Sequence, residues 1–208
     1  MSTEGFGLTE LELDALTEVV NIGVSRAATS LRDMVGEQVL LSVPSVAITS
    51  PARAAELLGE RESSLLVAVR QGFQGEFSGS ALLIFPEKNS LELVRAIAGN
   101  HLSLEDILEL EQEALAEIGN VILNGCMATI ANLLNRRLVI SLPEILSGSA
   151  GDLFQKSPSL LQDVVLFIHI DFSLRGRELS GYLAMVMDVP ALEALKVLVD
   201  EFIRRSGS

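Results

Sequence analysis

The sequence has few of the residue types that cross-link small proteins or form reactive centres. Its 208 residues include one cysteine, two histidines and no tryptophan. A single cysteine cannot form an internal disulfide, so the chain suits a reducing cytoplasm. A folded chain of this length buries roughly 70% of its unfolded surface and needs no disulfide or metal to be stable. The sequence therefore predicts a cytoplasmic globular protein held together by an ordinary hydrophobic core.

Positive charge is also scarce. Fifteen Lys and Arg residues stand against 28 Asp and Glu, which gives a net charge of -13. Phosphate contacts need a basic surface, so this balance argues against a nucleic-acid binder. It also argues against docking on anionic membranes. The longest apolar runs, such as residues 164–168, are far shorter than the ~20 residues that cross a bilayer. We therefore expect neither nucleic acid nor a membrane as a partner.

An internal repeat organises the chain. At a shift of 99 positions, residues 39–46 align with residues 138–145, and each copy carries a serine and a proline at equivalent places. A slip of three residues brings the later strands of the two copies into alignment. Two copies are too few for a solenoid. We therefore predict a single domain made of two repeats, about residues 8–100 and 103–205, related by a pseudo-twofold axis.

The sequence of each half predicts five elements in the order helix, strand, strand, strand, helix. Apolar residues at helical spacing indicate a first helix over residues 10–35, preceded by a capping box that starts at Thr9. Gly36 and Asn135 suit the left-handed position that ends a helix. We expect the strand that follows to leave the sheet at its proline, Pro44 or Pro143.

The remaining elements complete an α+β fold. We expect a short helix over residues 51–58 in the first half and a looser segment over residues 147–159 in the second. Hairpin-linked strands and a closing helix follow in each half; they are predicted over residues 65–70, 79–85 and 86–98, and over residues 164–170, 181–187 and 190–204. The predicted fold class is thus α+β, with two duplicated halves and an antiparallel sheet flanked by two long helices.

One side of each long helix carries a stripe of polar residues. The four members stand at i, i+4, i+7 and i+11, which at about 100° per residue places them on one side of the helix. Each helix has its apolar residues on the opposite side, so both stripes should face water. The stripes are Asp14, Glu18, Asn21 and Ser25, and Glu113, Glu117, Asn120 and Asn124.

Most polar stripes are no more than solvated helix surface, and that alternative applies here. Asparagine, however, is a poor residue for a helix interior, because its side chain competes for backbone hydrogen bonds. Exposed helix positions normally hold Glu, Lys or Gln. Here Asn21 and Asn120 occupy equivalent places, each three residues after a glutamate, although neighbouring positions differ between the copies. The retained couple therefore favours a functional role.

A glutamate and an asparagine at i, i+3 can support only some kinds of chemistry. Asparagine does not titrate, so the two do not form a nucleophile with its base. One carboxylate and one amide are too few ligands for a metal site. A carboxamide can position an attacking water, as a glutamine does in GTPases, while a glutamate can anchor a cationic side chain. The couple suits insertion into the active site of another protein, beside a phosphoryl group.

The spacing of these residues resembles a known motif. Asp14-x3-Glu18-x2-Asn21-x22-Pro44 is similar to the motif of the CheC/CheX/FliY phosphatases of bacterial chemotaxis. The second copy, which runs from Glu113 to Pro143, resembles it again. Its one departure is glutamate in the first place, where the family has Asp or Ser. The duplicated layout is that of CheC, so the resemblance covers nearly the whole chain.

The resemblance implies a phosphatase of chemotaxis signalling that dephosphorylates the response regulator CheY-P. Carried over, Glu18 and Glu117 would dock on a lysine of the regulator, while Asn21 and Asn120 would direct water at its aspartyl phosphate. The chain would have no cofactor of its own, because the Mg²⁺ involved belongs to the partner receiver domain. The resemblance also implies a second partner, the deamidase CheD, whose contact would be sought near Gly148 to Phe154.

Two other functions remain open from the sequence. The first is a non-catalytic module that binds the regulator without hydrolysing phosphate, like the flagellar-switch protein FliM. Such a module would be expected to lose the Glu/Asn couple from one or both halves, whereas both couples are present here. The second is an adaptor whose main task is to hold CheD. The other reactive side chains are predicted to be structural: Cys126 as a small buried apolar residue, and His101 and His169 as ordinary histidines.

Overall fold

Six helices and seven strands follow one another in the computed structural model, which describes residues 8–36, 38–62, 64–98, 104–155, 163–174 and 177–206. The elements of the first half are α1 (Glu10–Val35), β1 (Val39–Thr49), α2 (Pro51–Arg61), β2 (Leu66–Gln74), β3 (Gly79–Pro86) and α3 (Glu87–Ala98). Those of the second half are α4 (Leu104–Leu133), β4 (Val139–Ile140), β5 (Glu144–Gly148), α5 (Ala150–Gln155), β6 (Asp163–Leu174), β7 (Arg177–Asp188) and α6 (Val189–Ser206). The predicted α+β class is confirmed.

The ends of the long helices follow their local signals. The Thr9 hydroxyl accepts a hydrogen bond from the backbone N–H of Glu12, and the Glu12 carboxylate accepts one from the backbone N–H of Thr9. This is the predicted capping box. Gly36, after α1, has φ 69°, and Asn135, after α4, has φ 57°. Both are left-handed, as predicted. The second predicted cap begins at Ser103, which lies outside the described residues.

The seven strands form one antiparallel sheet in which the two halves exchange strands. The order is β1-β6-β7-β3-β2, and β4 and β5 both pair with β2 at the far edge. The first strand of each half therefore pairs with a strand of the other half. Local sequence patterns did not indicate this exchange, because a strand's own residues do not specify its partner.

The strand registers repeat between the halves. Val46 of β1 faces Ile168 of β6, and the residues 99 positions away, Ile145 and Val69, also face each other. In the middle of the sheet, Leu82 of β3 faces Ala184 of β7, which is its equivalent after the three-residue slip. A residue that faces its own equivalent lies on the axis that relates the two halves. The pseudo-twofold relation thus passes between β3 and β7.

The prediction that the first strand ends at its proline is wrong. In β1 the register shifts by one residue between Ser42 and Ser45, and the strand then continues to Thr49. One extra residue at this place is a β-bulge, which lets a strand accommodate a residue such as Pro44 that has no backbone N–H to donate. The bulge depends on the partner strand β6.

In the second half the same irregularity divides the strand in two. Pairing with β2 stops after Ile140 and resumes at Glu144, again with one extra residue on the strand that carries Pro143. The prediction of a looser segment over residues 147–159 is wrong for its first part, because β5 reaches Gly148 and α5 forms a short helix over Ala150–Gln155. Residues 156–159 lie outside the described residues. The other predicted elements are present, and the β6–β7 hairpin is longer than predicted, with 12 residues in each strand.

The sheet is covered on both faces. Helices α1 and α4 pack side by side on one face, together with α3 and α6, while α2 and α5 cover the other face. A β-carbon at Gly125 of α4 would lie 3.1 Å from the α-carbon of Ala27, so the two long helices approach each other closely at this glycine. Cys126 is buried in the same contact, and burial raises the pKa of its thiol to about 12. It is the inert apolar residue that the sequence predicted.

One segment of α4 is more apolar than the length of the uninterrupted apolar runs in the sequence indicated. Among the described residues, Leu110–Leu133 is long and apolar enough to cross a membrane. In the fold, more than half of its most apolar part is buried, where the helix packs on α1 and on the sheet. The apolar composition of this segment is therefore that of a core helix, which packs against its own protein.

Candidate functional site

The polar stripe of α1 lies at the surface. Asp14, Glu18 and Ser25 are exposed and Asn21 is half-buried, as their spacing along the helix predicts. Within the described part of the chain, no side-chain hydrogen bond or ion pair involves Glu18 or Asn21. The carboxylate and the carboxamide of this couple are therefore both available to an incoming group.

The stripe of α4 is also at the surface, but its asparagine is already engaged. Glu113 and Glu117 are exposed, while Asn120 and Asn124 are half-buried. The Oδ1 atom of Asn120 accepts a hydrogen bond from Nδ2 of Asn124 at 2.7 Å and another from Nε2 of Gln71 at 3.0 Å. A carboxamide oxygen has two lone pairs, and both are now used. The Nδ2 group of Asn120 has no partner among the described residues.

Gln71 connects this asparagine to the sheet. It lies on β2 between Val69 and Phe73 on the same face, which is the face packed against the long helices, and only 1% of it is exposed. Its Nε2 group donates to Asn120 and also to the backbone carbonyl of Ser141, at 3.0 Å in each case. Both N–H bonds of the glutamine are thus satisfied, one by α4 and one by the segment between β4 and β5.

Ser141 lies between β4 and β5, where the first strand of the second half is interrupted, two residues before Pro143. Its backbone N–H donates to the carbonyl of Gly72 at 2.9 Å, and its hydroxyl accepts from the N–H of Gly72 at 2.8 Å. These bonds fix the irregular segment to β2. The break in the strand leaves the Ser141 carbonyl free to accept from Gln71. Bulges commonly re-aim groups beside functional sites.

A glycine brings α4 within reach of this network. A β-carbon on Gly119 would lie 2.5 Å from the β-carbon of Val69 on β2. Any other residue here would push the helix away from the strand, because real β-carbons do not approach that closely. The close approach places the next residue, Asn120, within hydrogen-bonding distance of Gln71.

The first half has the same couple without the same support. At the shift of 99 positions, the buried glutamine is replaced by a buried isoleucine, the glycine by a buried valine, and the second asparagine by a serine. The residues that correspond to Gln71, Gly119 and Asn124 are Ile170, Val20 and Ser25. The two candidate sites therefore share the Glu/Asn couple and differ at these three positions.

Sequence reasoning missed Gln71 and Gly119, although one signal was available. Gln71 is the polar residue in a strand whose same-face neighbours, Val67, Val69 and Phe73, are apolar. A polar residue in phase with a core face needs a buried hydrogen-bond partner. The partner itself could not be identified, because it comes from a helix nearly 50 residues away in the chain.

Other predicted residues lie away from the stripes. His169 stacks on Tyr182, with ring centroids 5.1 Å apart, and His101 lies outside the described residues. The segment Gly148 to Phe154 ends β5 and forms α5, whose buried residues pack on the face of the sheet opposite to α1 and α4. Among the residues that the structure describes, no group of three or more His, Cys, Asp or Glu side chains could hold a metal ion.

Comparison with known proteins gives consistent matches. The CheC-like family matches residues 11–48, which contain Glu18, Asn21 and Pro44. The chain is 25% identical over 199 residues to the CheY-P phosphatase CheC of Bacillus subtilis, covering 92% of this chain and 95% of that protein. The chain is thus similar to CheC-type proteins over nearly its whole length. The second copy of the motif lies outside the residues that the family matches.

Two further matches concern FliY proteins. The flagellar motor switch phosphatase FliY of Bacillus subtilis is 22% identical over 203 residues, which cover 97% of this chain but 52% of FliY. The chain thus spans about half the length of that relative. The crystal structure of Thermotoga maritima FliY superposes with a TM-score of 0.73 at 19% identity, covering 94% of this chain and 99% of that one. The two proteins share a fold.

Proposed function

We propose that this protein is a phosphatase of chemotaxis signalling that hydrolyses the aspartyl phosphate of a phosphorylated CheY-like response regulator. One observation carries the proposal: each long helix presents at the surface a glutamate three residues before an asparagine, at equivalent places of the two halves. Relatives named as CheY-P phosphatase and as flagellar motor switch phosphatase support it. The catalytic roles of Glu18, Asn21, Glu117 and Asn120 are part of the proposal.

In the proposed reaction a stripe is inserted beside the phosphorylated aspartate of the regulator. Glu18 or Glu117 forms a charge-assisted hydrogen bond with a cationic side chain of the regulator. Asn21 or Asn120 holds a water molecule in line with the phosphorus atom. The water oxygen bonds to phosphorus while the bond between phosphorus and the aspartyl oxygen breaks. The aspartate leaves as a carboxylate, and a proton of the water goes to the released phosphate.

The rest of the proposal concerns location and partners. The chain brings no cofactor of its own, since Mg²⁺ is held by the receiver domain, and the reaction takes place in the cytoplasm. CheD remains a predicted second partner near Gly148 to Phe154. That segment lies on the opposite face of the sheet from the two stripes, so a contact there would leave both couples accessible to the regulator.

The test follows phosphate loss from a receiver domain phosphorylated on its aspartate. Wild type is compared with Asn21→Ala, Asn120→Ala and the double variant. Each single change should leave activity at the other site, and the double change should abolish acceleration. Removal of a preorganised polar group costs on the order of 10²-fold or more at each site.

Asn132→Ala is the matched control. Asn132 is an exposed asparagine on α4 that lies outside the stripe, so its variant should retain wild-type activity. Folding of every variant is checked by thermal unfolding. If the folded double variant is as active as wild type, the proposal is wrong. If wild type binds the phosphorylated receiver but does not accelerate phosphate loss, the protein is a non-catalytic adaptor.

A further inference from the structure

We propose that Gln71 is a positioning residue that holds the Asn120 carboxamide in one orientation, with Nδ2 available to the phosphoryl group, and that this makes the α4 site the faster of the two. The inference rests on the proposed function and deepens it. It is drawn from the hydrogen bonds that link Ser141, Gln71, Asn120 and Asn124. The first half has no corresponding network among the described residues.

The orientation of this network is set by a group that cannot turn round. The Ser141 carbonyl is part of the backbone and can only accept a hydrogen bond. It therefore requires Nε2 of Gln71, and not Oε1, to face it. Because the same Nε2 carries the second N–H, the atom of Asn120 that meets it must be the acceptor, Oδ1. Turning either amide round would oppose two donors or two acceptors.

Burial makes the arrangement rigid. Gln71 is 1% exposed, so water does not compete for its two N–H bonds. Its Oε1 atom is buried without a hydrogen-bond partner among the described residues. An unsatisfied buried oxygen destabilises a fold, and an apolar residue such as the Ile170 of the other half would avoid that cost. The presence of a glutamine at this buried position is explained if it orients the Asn120 carboxamide.

The orientation has a chemical consequence. With Oδ1 saturated, Asn120 can only donate to an incoming group. A water that accepts from Nδ2–H through one lone pair still has a second lone pair to direct at phosphorus. The other N–H can donate to a phosphoryl oxygen, where charge develops in the transition state. Donors fixed before the partner arrives need no reorganisation during the reaction.

Asn21 lacks this arrangement. Ile170, the equivalent of Gln71, has no polar atom to direct at it, and Ser25, the equivalent of Asn124, makes no side-chain hydrogen bond to it in the described part of the chain. The Asn21 carboxamide is therefore free to present either its oxygen or its nitrogen. Only part of its population has the reactive orientation at any moment, which lowers its rate.

The kinetic test isolates each site. In the Asn21→Ala background, only the α4 site works, and Gln71→Leu should lower kcat for phosphate loss about tenfold with little change in KM, the scale of one positioning hydrogen bond. In the Asn120→Ala background, the same Gln71→Leu change should have no effect on the α1 site. Equal losses in the two backgrounds, or a kcat unchanged in both, would overturn the inference.

A second measurement uses the free protein and does not depend on phosphatase activity. The side-chain NH₂ signals of Asn120, identified by their loss in Asn120→Ala, should shift in Gln71→Leu while the backbone spectrum away from β2 stays the same. Unmoved Asn120 signals would show that Gln71 does not orient it. The proposed function fails separately, if the Asn21→Ala, Asn120→Ala double variant remains active.

The variant Gln71→Glu adds a pH signature. It keeps the shape of the side chain, but as a carboxylate it has no N–H to donate. Burial raises the pKa of such a carboxyl group, and its protonated form recovers one donor. Its kcat relative to the Gln71 parent at each pH should therefore increase as the pH falls through that raised pKa. A ratio that does not vary with pH would contradict the positioning role.

Discussion

The two long helices expose the same pair of residues and differ in what supports them. Behind Asn120 lie a buried glutamine, a strand interruption and a glycine that lets the helix approach the sheet. The equivalent positions of the first half hold a buried isoleucine and a buried valine. Under the proposed function, the repeated motif gives both halves the same reaction, and the residues around it set how well each half is arranged for that reaction. The comparison can be tested at four levels.

The largest expected difference lies between the two asparagines. Asn120→Ala should remove the faster site and leave a minor fraction of wild-type activity. Asn21→Ala should leave most of the activity. The loss at each altered site is on the order of 10²-fold, so the residual rate reports the intact site. Steady-state phosphate release at saturating phosphorylated receiver measures both. Equal residual rates would mean that the support behind Asn120 has no catalytic effect.

A second comparison concerns two helical glycines. Gly119→Ala should destabilise the protein by about 1–3 kcal/mol, because the new β-carbon would lie 2.5 Å from Val69. Gly59→Ala should stabilise it by about 0.5–1 kcal/mol, because Gly59 in α2 has no atoms within 4 Å of that position and alanine favours the helix. Urea unfolding gives both values. A neutral Gly119→Ala would show that α4 is not held against β2.

Asn124 and Ser25 provide a smaller comparison between equivalent positions. Asn124→Ala in the Asn21→Ala background should lower kcat roughly threefold, because one of the two donors to the Asn120 oxygen is lost. Ser25→Ala in the Asn120→Ala background should have no effect, since within the described residues no side-chain hydrogen bond joins Ser25 to Asn21. If both variants behave alike, Asn124 does not take part in orienting Asn120.

The smallest effect concerns the N-terminal cap of α1, which lies within the described residues, whereas the start of the predicted cap of α4 does not. Hydrogen bonds from the Thr9 backbone N–H, and then from its hydroxyl, hold the pKa of Glu12 below its usual value of 4.5. The stability that this carboxylate contributes is therefore complete above the unfolded pKa and is lost as the pH falls through the lower folded pKa.

Glu12→Gln should accordingly lower the free energy of unfolding by about 0.5 kcal/mol at neutral pH. The difference from wild type should vanish in acid, where Glu12 is protonated in both the folded and the unfolded chain. Urea unfolding at a series of pH values measures it. A difference that stays constant down to the lowest pH would show that the charge of Glu12 has no part in the cap.

The comparison also explains which features could be predicted. The helix ends at Gly36 and Asn135 depend on a few neighbouring residues, and the sequence predicted them. The surface position of Glu18 and Asn21 depends on helical periodicity, which is also local. The course of β1 beyond Pro44 could not be predicted, because the bulge that tolerates the proline is defined by pairing with β6. Gln71 could be suspected only as a polar residue on a core face.

From the sequence alone followed the two repeats, the long helices and the repeated Glu/Asn couple on one side of each, since these depend on spacing along a single segment. Only the tertiary structure decided that each half lends its first strand to the other, and that Gln71 donates both to Asn120 and to the Ser141 carbonyl. The bonds of Gln71 join residues 49 and 70 positions apart, and the pairs of β1 with β6 join residues more than 100 positions apart. No local pattern specifies them, because a buried donor is satisfied by whichever acceptor the packed fold brings to it.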